Sequence, residues 1–178
     1  MKNYTPQHVA NYFITRANEE DRPITQLKLI KLVYIAHGWN LALLGEPLFD
    51  EPVQAWRYGP VIPSVYHEFK HFGRRPIDQM AENLDLDTMA MENPQIPKSD
   101  AMTRKILNLV WNAYRKFSGE ALIEKTHEQG SPWSQTFEPE VRYSIIEDEL
   151  IHRHFEERIA AYVRQGRKTK RPAEISTA

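Results

Sequence analysis

No cysteine occurs among the 178 residues. Disulfides, thiolate zinc sites and a cysteine nucleophile are excluded, and the composition suits a reducing cytosol. The opening residues, MKNYTPQHVANYF, contain no apolar stretch followed by small residues, so no secretory leader is expected. No unbroken apolar run approaches the length of a membrane span. A phosphate-binding glycine loop is also missing, because Gly38, Gly45 and Gly59 have the wrong spacing. Neither an internal repeat nor a domain linker stands out, and no helix-turn-helix is visible. The expectation is a cytoplasmic protein of one domain that needs no membrane.

What is present supports a folded body. Hydrophobic residues make up 41% and aromatics 11%, values typical of a globular chain with its own core. Net charge is −1 but unevenly spread. Residues 164–178 carry five basic groups (Arg164, Arg167, Lys168, Lys170, Arg171) against Glu174, which leaves residues 1–163 at −5. Part of that excess lies between Asp78 and Glu92, which hold five acids and no base. An acidic body argues against nucleic acid as partner and suits a basic protein. The domain is therefore drawn over 1–163, with 164–178 as a basic, disordered tail.

Periodicity predicts a mainly α fold of about six helices with a small β-hairpin or short strand. Thr5-Pro6 is a helix start, with Val9, Tyr12, Phe13 and Ala17 on one face. Thr25 caps a second helix that is apolar almost all round and ends near Gly45, the pattern of a central core helix. Val53 to Tyr58 reads as a strand, with Gly59-Pro60 as its turn. Pro63 opens a helix carrying Val65, Tyr66, Phe69 and Phe72. Residues 74–98 read mostly as loop. Ser99 caps a helix whose apolar face is Met102, Ile106, Leu109, Val110, Ala113 and Phe117. Another helix begins at Ser118. Ser131-Pro132-Trp133 reads as a turn, and Ser144 to Glu147 as a capping box opening the last helix.

Three motifs carry candidate chemistry. His67-Glu68-Phe69-Lys70-His71 fits H-E-x-x-H, in which histidines four apart on a helix bind zinc and the glutamate acts as general base. The longer metzincin pattern is absent, Lys70 sits inside the motif, and both histidines flank the buried stripe. Solvated surface histidines are the preferred reading. Trp56-Arg57-Tyr58 combines the residue types that anchor protein interfaces, set against a structural role in packing on the central helix. Lys125-Thr126-His127, followed by Ser131-Pro132-Trp133, could pair a base with Ser131 or Ser134, but no nucleophile elbow accompanies it. Here a capping or hydrogen-bonding histidine is preferred.

Several separated pieces occur together in a recognisable order. They are Lys31-Leu32-Val33-Tyr34, Gly38-Trp39, Gly45-Glu46-Pro47-Leu48-Phe49, Ala55-Trp56-Arg57-Tyr58-Gly59-Pro60-Val61, Tyr66-His67-Glu68-Phe69, Leu122 to His127, and Ser131-Pro132-Trp133. In this the chain resembles the Panacea antitoxin domain, the SocA-like family of phage-associated proteins, over roughly Val9 to Phe155. The resemblance implies a helical antitoxin of a toxin–antitoxin system that binds its cognate toxin directly. That toxin would be encoded by a neighbouring gene. It implies no catalysis and no cofactor. A SocA-like adaptor delivering the toxin to the ClpXP protease is the alternative, and a zinc hydrolase using His67, Glu68 and His71 is the other. Trp56, Arg57, Tyr58, Lys125, His127 and Trp133 are the expected partner-contacting residues, chosen by residue type.

Overall fold

A computed structural model describes residues 4–84 and 89–169. Among them are seven α-helices and two small antiparallel sheets: α1 (Pro6–Glu19), α2 (Gln26–Leu44), β1 (Val53–Trp56), β2 (Gly59–Val61), α3 (Pro63–Phe69), β3 (Asn83–Leu84), β4 (Met91–Glu92), α4 (Ala101–Tyr114), α5 (Gly119–Thr126), α6 (Pro132–Thr136), β5 (Ser144–Ile146) and α7 (Asp148–Thr169). The architecture is mainly α, as the periodicity predicts.

Helix α2 is the axis of the fold. Thr25 accepts a hydrogen bond from the Lys28 N–H at its start, and Gly45, at φ +69°, closes it in the left-handed conformation. Its surface is buried on every side, by α1, α4, α5 and most extensively α7. Leu29, Leu32, Val33 and Ala36 are fully enclosed. Each such leucine or valine contributes about 1.5–3 kcal/mol by leaving water. Gly38 allows the closest approach: a Cβ there would lie 2.2 Å from the Phe155 ring of α7. Contrary to the sequence expectation, α2 is long and apolar enough to span a membrane by length and composition. In this fold 72% of that stretch is buried inside the protein, which marks it as a core helix.

Buried polar groups tie the periphery to this axis. Asn11 of α1 donates to the Ala81 and Pro94 carbonyls and accepts from the Ala81 N–H, so one side chain pins both ends of the long loop. His37 of α2, 1% exposed, meets Asp148 at 2.8 Å, at the first residue of α7. Glu20 receives the Trp111 indole N–H and Arg115, which fixes α4 against the end of α1.

The structure departs from the sequence reading in several places. Ser144–Ile146 is a strand, not a helix cap: it pairs with Val53–Ala55, and Ile146 is buried beneath it. Long-range ladder bonds outcompete the local capping pattern, and α7 begins at Asp148. Asp100, rather than Ser99, caps α4. That helix is rotated so that Leu107 and Trp111 join Ile106 and Val110 inside, leaving Met102 and Leu109 exposed. Residues 132–136 form a short helix instead of a turn. Helix α7 continues past residue 163 to Thr169, into the stretch assigned to the tail. The rest of that assignment, residues 170–178, lies outside the described residues, as do Asp85 and Asp87 of the acidic cluster.

Candidate functional site

The β1–β2 hairpin carries two of the candidate residues, Arg57 and Tyr58, at an exposed tip. Its register pairs Trp56 with Gly59, so Arg57 and Tyr58 form the two-residue loop, not Gly59-Pro60 as expected from sequence. Gly59 adopts φ +99°, a conformation that side chains disfavour. Arg57 and Tyr58 project into solvent, with Tyr58 64% exposed and the guanidinium 5.9 Å from its ring centroid.

This exposed tip rests on a stiff support. The Trp133 indole N–H of α6 donates to the Trp56 carbonyl at 2.7 Å. His127 lies flat on Trp133, with ring centroids 3.6 Å apart and 1° between planes. Trp56 packs between Tyr66 and Tyr143, and its own N–H donates to Gln54. Beneath the hairpin, Lys31 of α2 donates to the Pro60 carbonyl at 3.0 Å. That ammonium is 1% exposed and has no carboxylate partner among the described residues. Burial pushes its pKa down to about 7. The His127 imidazole is likewise pushed down, by burial first and by the Lys31 charge second.

Gly59 is where these groups converge. A Cβ on it would lie 2.7 Å from Lys31 Nζ, 3.0 Å from Thr126 Oγ1 and 3.1 Å from His127 Nε2. Gly59→Ala is therefore expected to destabilise the fold by about 1–3 kcal/mol through backbone strain and crowding. Thermal melting checks this, and an unchanged Tm would refute it.

The expected contact residues are thus only partly brought together. Trp56, Arg57, Tyr58, His127 and Trp133 form one unit, with the last two acting as its foundation. Lys125 points elsewhere, its ammonium 4.9 Å over the Phe117 ring. The imagined serine–histidine pair is not assembled: the Ser131 hydroxyl donates to the Thr126 carbonyl and accepts from the Ser134 N–H. Helix α3 stops at Phe69, and a 3-10 turn carries Lys70–Phe72. His67 and His71 are exposed and do not share one continuous α-helical face. Among the described residues, no three histidine, aspartate or glutamate side chains converge to hold a metal.

Two clefts flank the hairpin tip. One, about 420 Å³, opens toward α2 and α3, with Ile30, Lys31 and Tyr66 in its wall. The other, about 640 Å³, lies between the hairpin and the segment 137–143. Sequence reasoning overlooked that segment, although Phe137, Val141, Arg142 and Tyr143 are of interface type. It also overlooked Lys31 as a buried amine, for which the signal was a second lysine, after Lys28, set among the apolar residues of one helix.

Comparisons with known proteins give the family. The family model described as Antitoxin SocA-like, Panacea domain, matches residues 29–134, a stretch that holds Lys31, the hairpin, His127 and Trp133. Antitoxin SocA of Caulobacter vibrioides (strain NA1000 / CB15N) is 33% identical over 125 residues, covering 70% of this chain. The chain spans 66% of that relative's length. No solved structure matches it. The chain belongs to the SocA-like antitoxin family, Panacea domain.

Proposed function

We propose that this protein is a cytoplasmic antitoxin that neutralises a protein toxin by binding it directly, with the hairpin tip as its contact surface. Family membership supports the antitoxin role. The observation that carries the surface is the tip itself: an aromatic residue and an arginine exposed on a hairpin that is fixed from below. Rigid aromatic and arginine anchors give binding energy without a large ordering cost. Exposed Val141, Tyr143 and Ile145 extend the apolar surface on the same side of the sheet. Neutralisation then requires only that the toxin's active surface be covered.

Co-expression with the neighbouring gene tests the role. Toxicity of the neighbour alone, relieved when this protein is present, is the expected result. A harmless neighbour, or undiminished toxicity, would remove the proposal's basis. Tyr58→Ala is expected to weaken toxin binding by roughly 10-fold or more while leaving Tm unchanged, because the ring is mostly in solvent. Equal affinity in calorimetry would move the contact surface elsewhere. The toxin's lifetime during rescue separates blocking from delivery to ClpXP: a stable toxin supports blocking.

A further inference from the structure

The cleft between the hairpin and residues 137–143 differs in charge from the rest of the molecule. Residues 1–163 sum to −5, yet this cleft is lined by Arg57 and Arg142 and by no carboxylate. Glu138 and Glu140, neighbours in sequence, do not line it. Neither arginine has an ion pair or hydrogen bond among the described residues. The Arg57 guanidinium lies over the face of Tyr58. The remaining wall is apolar and aromatic, chiefly Trp56, Phe137, Val141 and Tyr143. Val141 and Tyr143 are 46% and 59% exposed, large apolar groups left uncovered in a monomer. A cavity of about 640 Å³ is of the size that takes one or two bulky side chains.

Building on the antitoxin reading, we infer that this cleft binds a segment of the toxin that pairs an apolar or aromatic side chain with one or two carboxylates. The apolar side chain rests on the wall formed by Trp56, Phe137, Val141 and Tyr143, and the carboxylates meet the two guanidiniums at the rim. Two unpaired arginines beside an apolar wall select such a segment by complementarity. They reject a basic one, including the protein's own basic residues 164–178. Overall charge predicts a basic partner; this cleft predicts an acidic docking segment, and local charge governs a contact within a Debye length of about 8–10 Å. The family match ends at residue 134, so the Phe137–Tyr143 wall lies beyond it. That placement suits a wall that adapts the domain to its particular toxin.

The test uses the full-length protein and the purified toxin from the neighbouring gene, titrated by calorimetry at low and high salt. Arg57→Glu with Arg142→Glu is expected to weaken binding on the order of 100-fold, and the paired glutamine variant by roughly 10-fold with a flatter salt dependence. The paired lysine variant should recover most of the affinity at low salt. Glu138→Gln with Glu140→Gln, outside the cleft, should stay within about 2-fold of wild type. Melting curves for all four should overlay, since none of these side chains is buried. If the charge-reversed protein still binds and still rescues growth, the cleft inference is overturned while the antitoxin reading stands. If the wild type binds no toxin, it is the antitoxin reading that fails. If Val141→Asp instead dissociates a dimer of this chain and leaves toxin binding intact, the cleft joins two copies and the inference is likewise overturned.

Discussion

Gly38→Ala is expected to destabilise this protein by about 2–4 kcal/mol, although the same change in most helices stabilises by up to about 1 kcal/mol. The reversal comes from α7. A methyl on Gly38 would sit 2.2, 2.3 and 2.8 Å from Phe155 Cδ2, Cε2 and Cγ, inside the roughly 3.5–4.0 Å at which carbon atoms attract. The ring cannot simply swing aside, because it is 4% exposed and packs edge-on against Tyr34 of α2. Either α7 shifts outward along its longest contact or the ring leaves its rotamer well. A fall in Tm of roughly 5–15 °C should follow. Phe155→Leu in the same chain should restore much of it, whereas alone it leaves a void and costs about 1–2 kcal/mol. That non-additive cycle distinguishes a local clash from a general loss of helix stability. A Gly38→Ala protein as stable as wild type would show that α2 and α7 do not pack this closely.

Lys31→Met is expected to change sign with pH. The folded-state pKa, about 7, lies below the ordinary lysine value of 10.5, so between these limits the unfolded chain holds the extra proton. Stability contributed by this group therefore rises with pH across that window and is lowest below pH 7. That lowering corresponds to a penalty on the order of 5 kcal/mol at acidic pH, roughly half of which disappears between pH 6 and 9. Methionine removes the penalty at every pH but leaves the Pro60 carbonyl without its donor, a loss of about 1–3 kcal/mol. At pH 6 the variant should unfold at higher denaturant than wild type. By pH 9 to 10 the advantage should vanish or reverse. Titrating groups other than His127, whose imidazole the Lys31 charge helps to depress, are common to both proteins and cancel in the difference. A pH-independent difference would mean that Lys31 stays protonated throughout.

The two positions also show what could be read in the chain before folding. Thr25, the all-round apolar run and Gly45 are adjacent in sequence, so α2 and its ends were legible from local chemistry. The hairpin was legible in the same way, apart from which two residues form its loop. Ser144–Ile146 was not, because its strand identity depends on Val53–Ala55, some ninety residues away. Within its own neighbourhood the serine–glutamate spacing pointed to a helix. The cleft wall failed for the same reason: nothing local places Tyr143 beside Trp56. His67 and His71 carried a motif whose meaning required an unbroken helix, and the switch to a 3-10 turn after Phe69 removes that premise. Lys31 was visible as a residue, but its meaning required knowing that no carboxylate among the described residues pairs with it.

The placement of α2 also sets an order of events at the ribosome. This apolar helix of 19 residues is synthesised before α7, its main cover, which begins about a hundred residues later. At about 5–20 residues per second the nascent chain carries it without that cover for roughly 5–20 s. During that interval it offers chaperones, and the machinery that sorts membrane helices, the features they recognise. The hairpin's supports at His127 and Trp133 emerge in the same late period. A newly made molecule thus acquires its proposed contact surface and its stability together, only once α7 has been made. Changes that slow the closing of α7, Gly38→Ala foremost, are expected to lower yield in the cell more than equilibrium melting alone indicates.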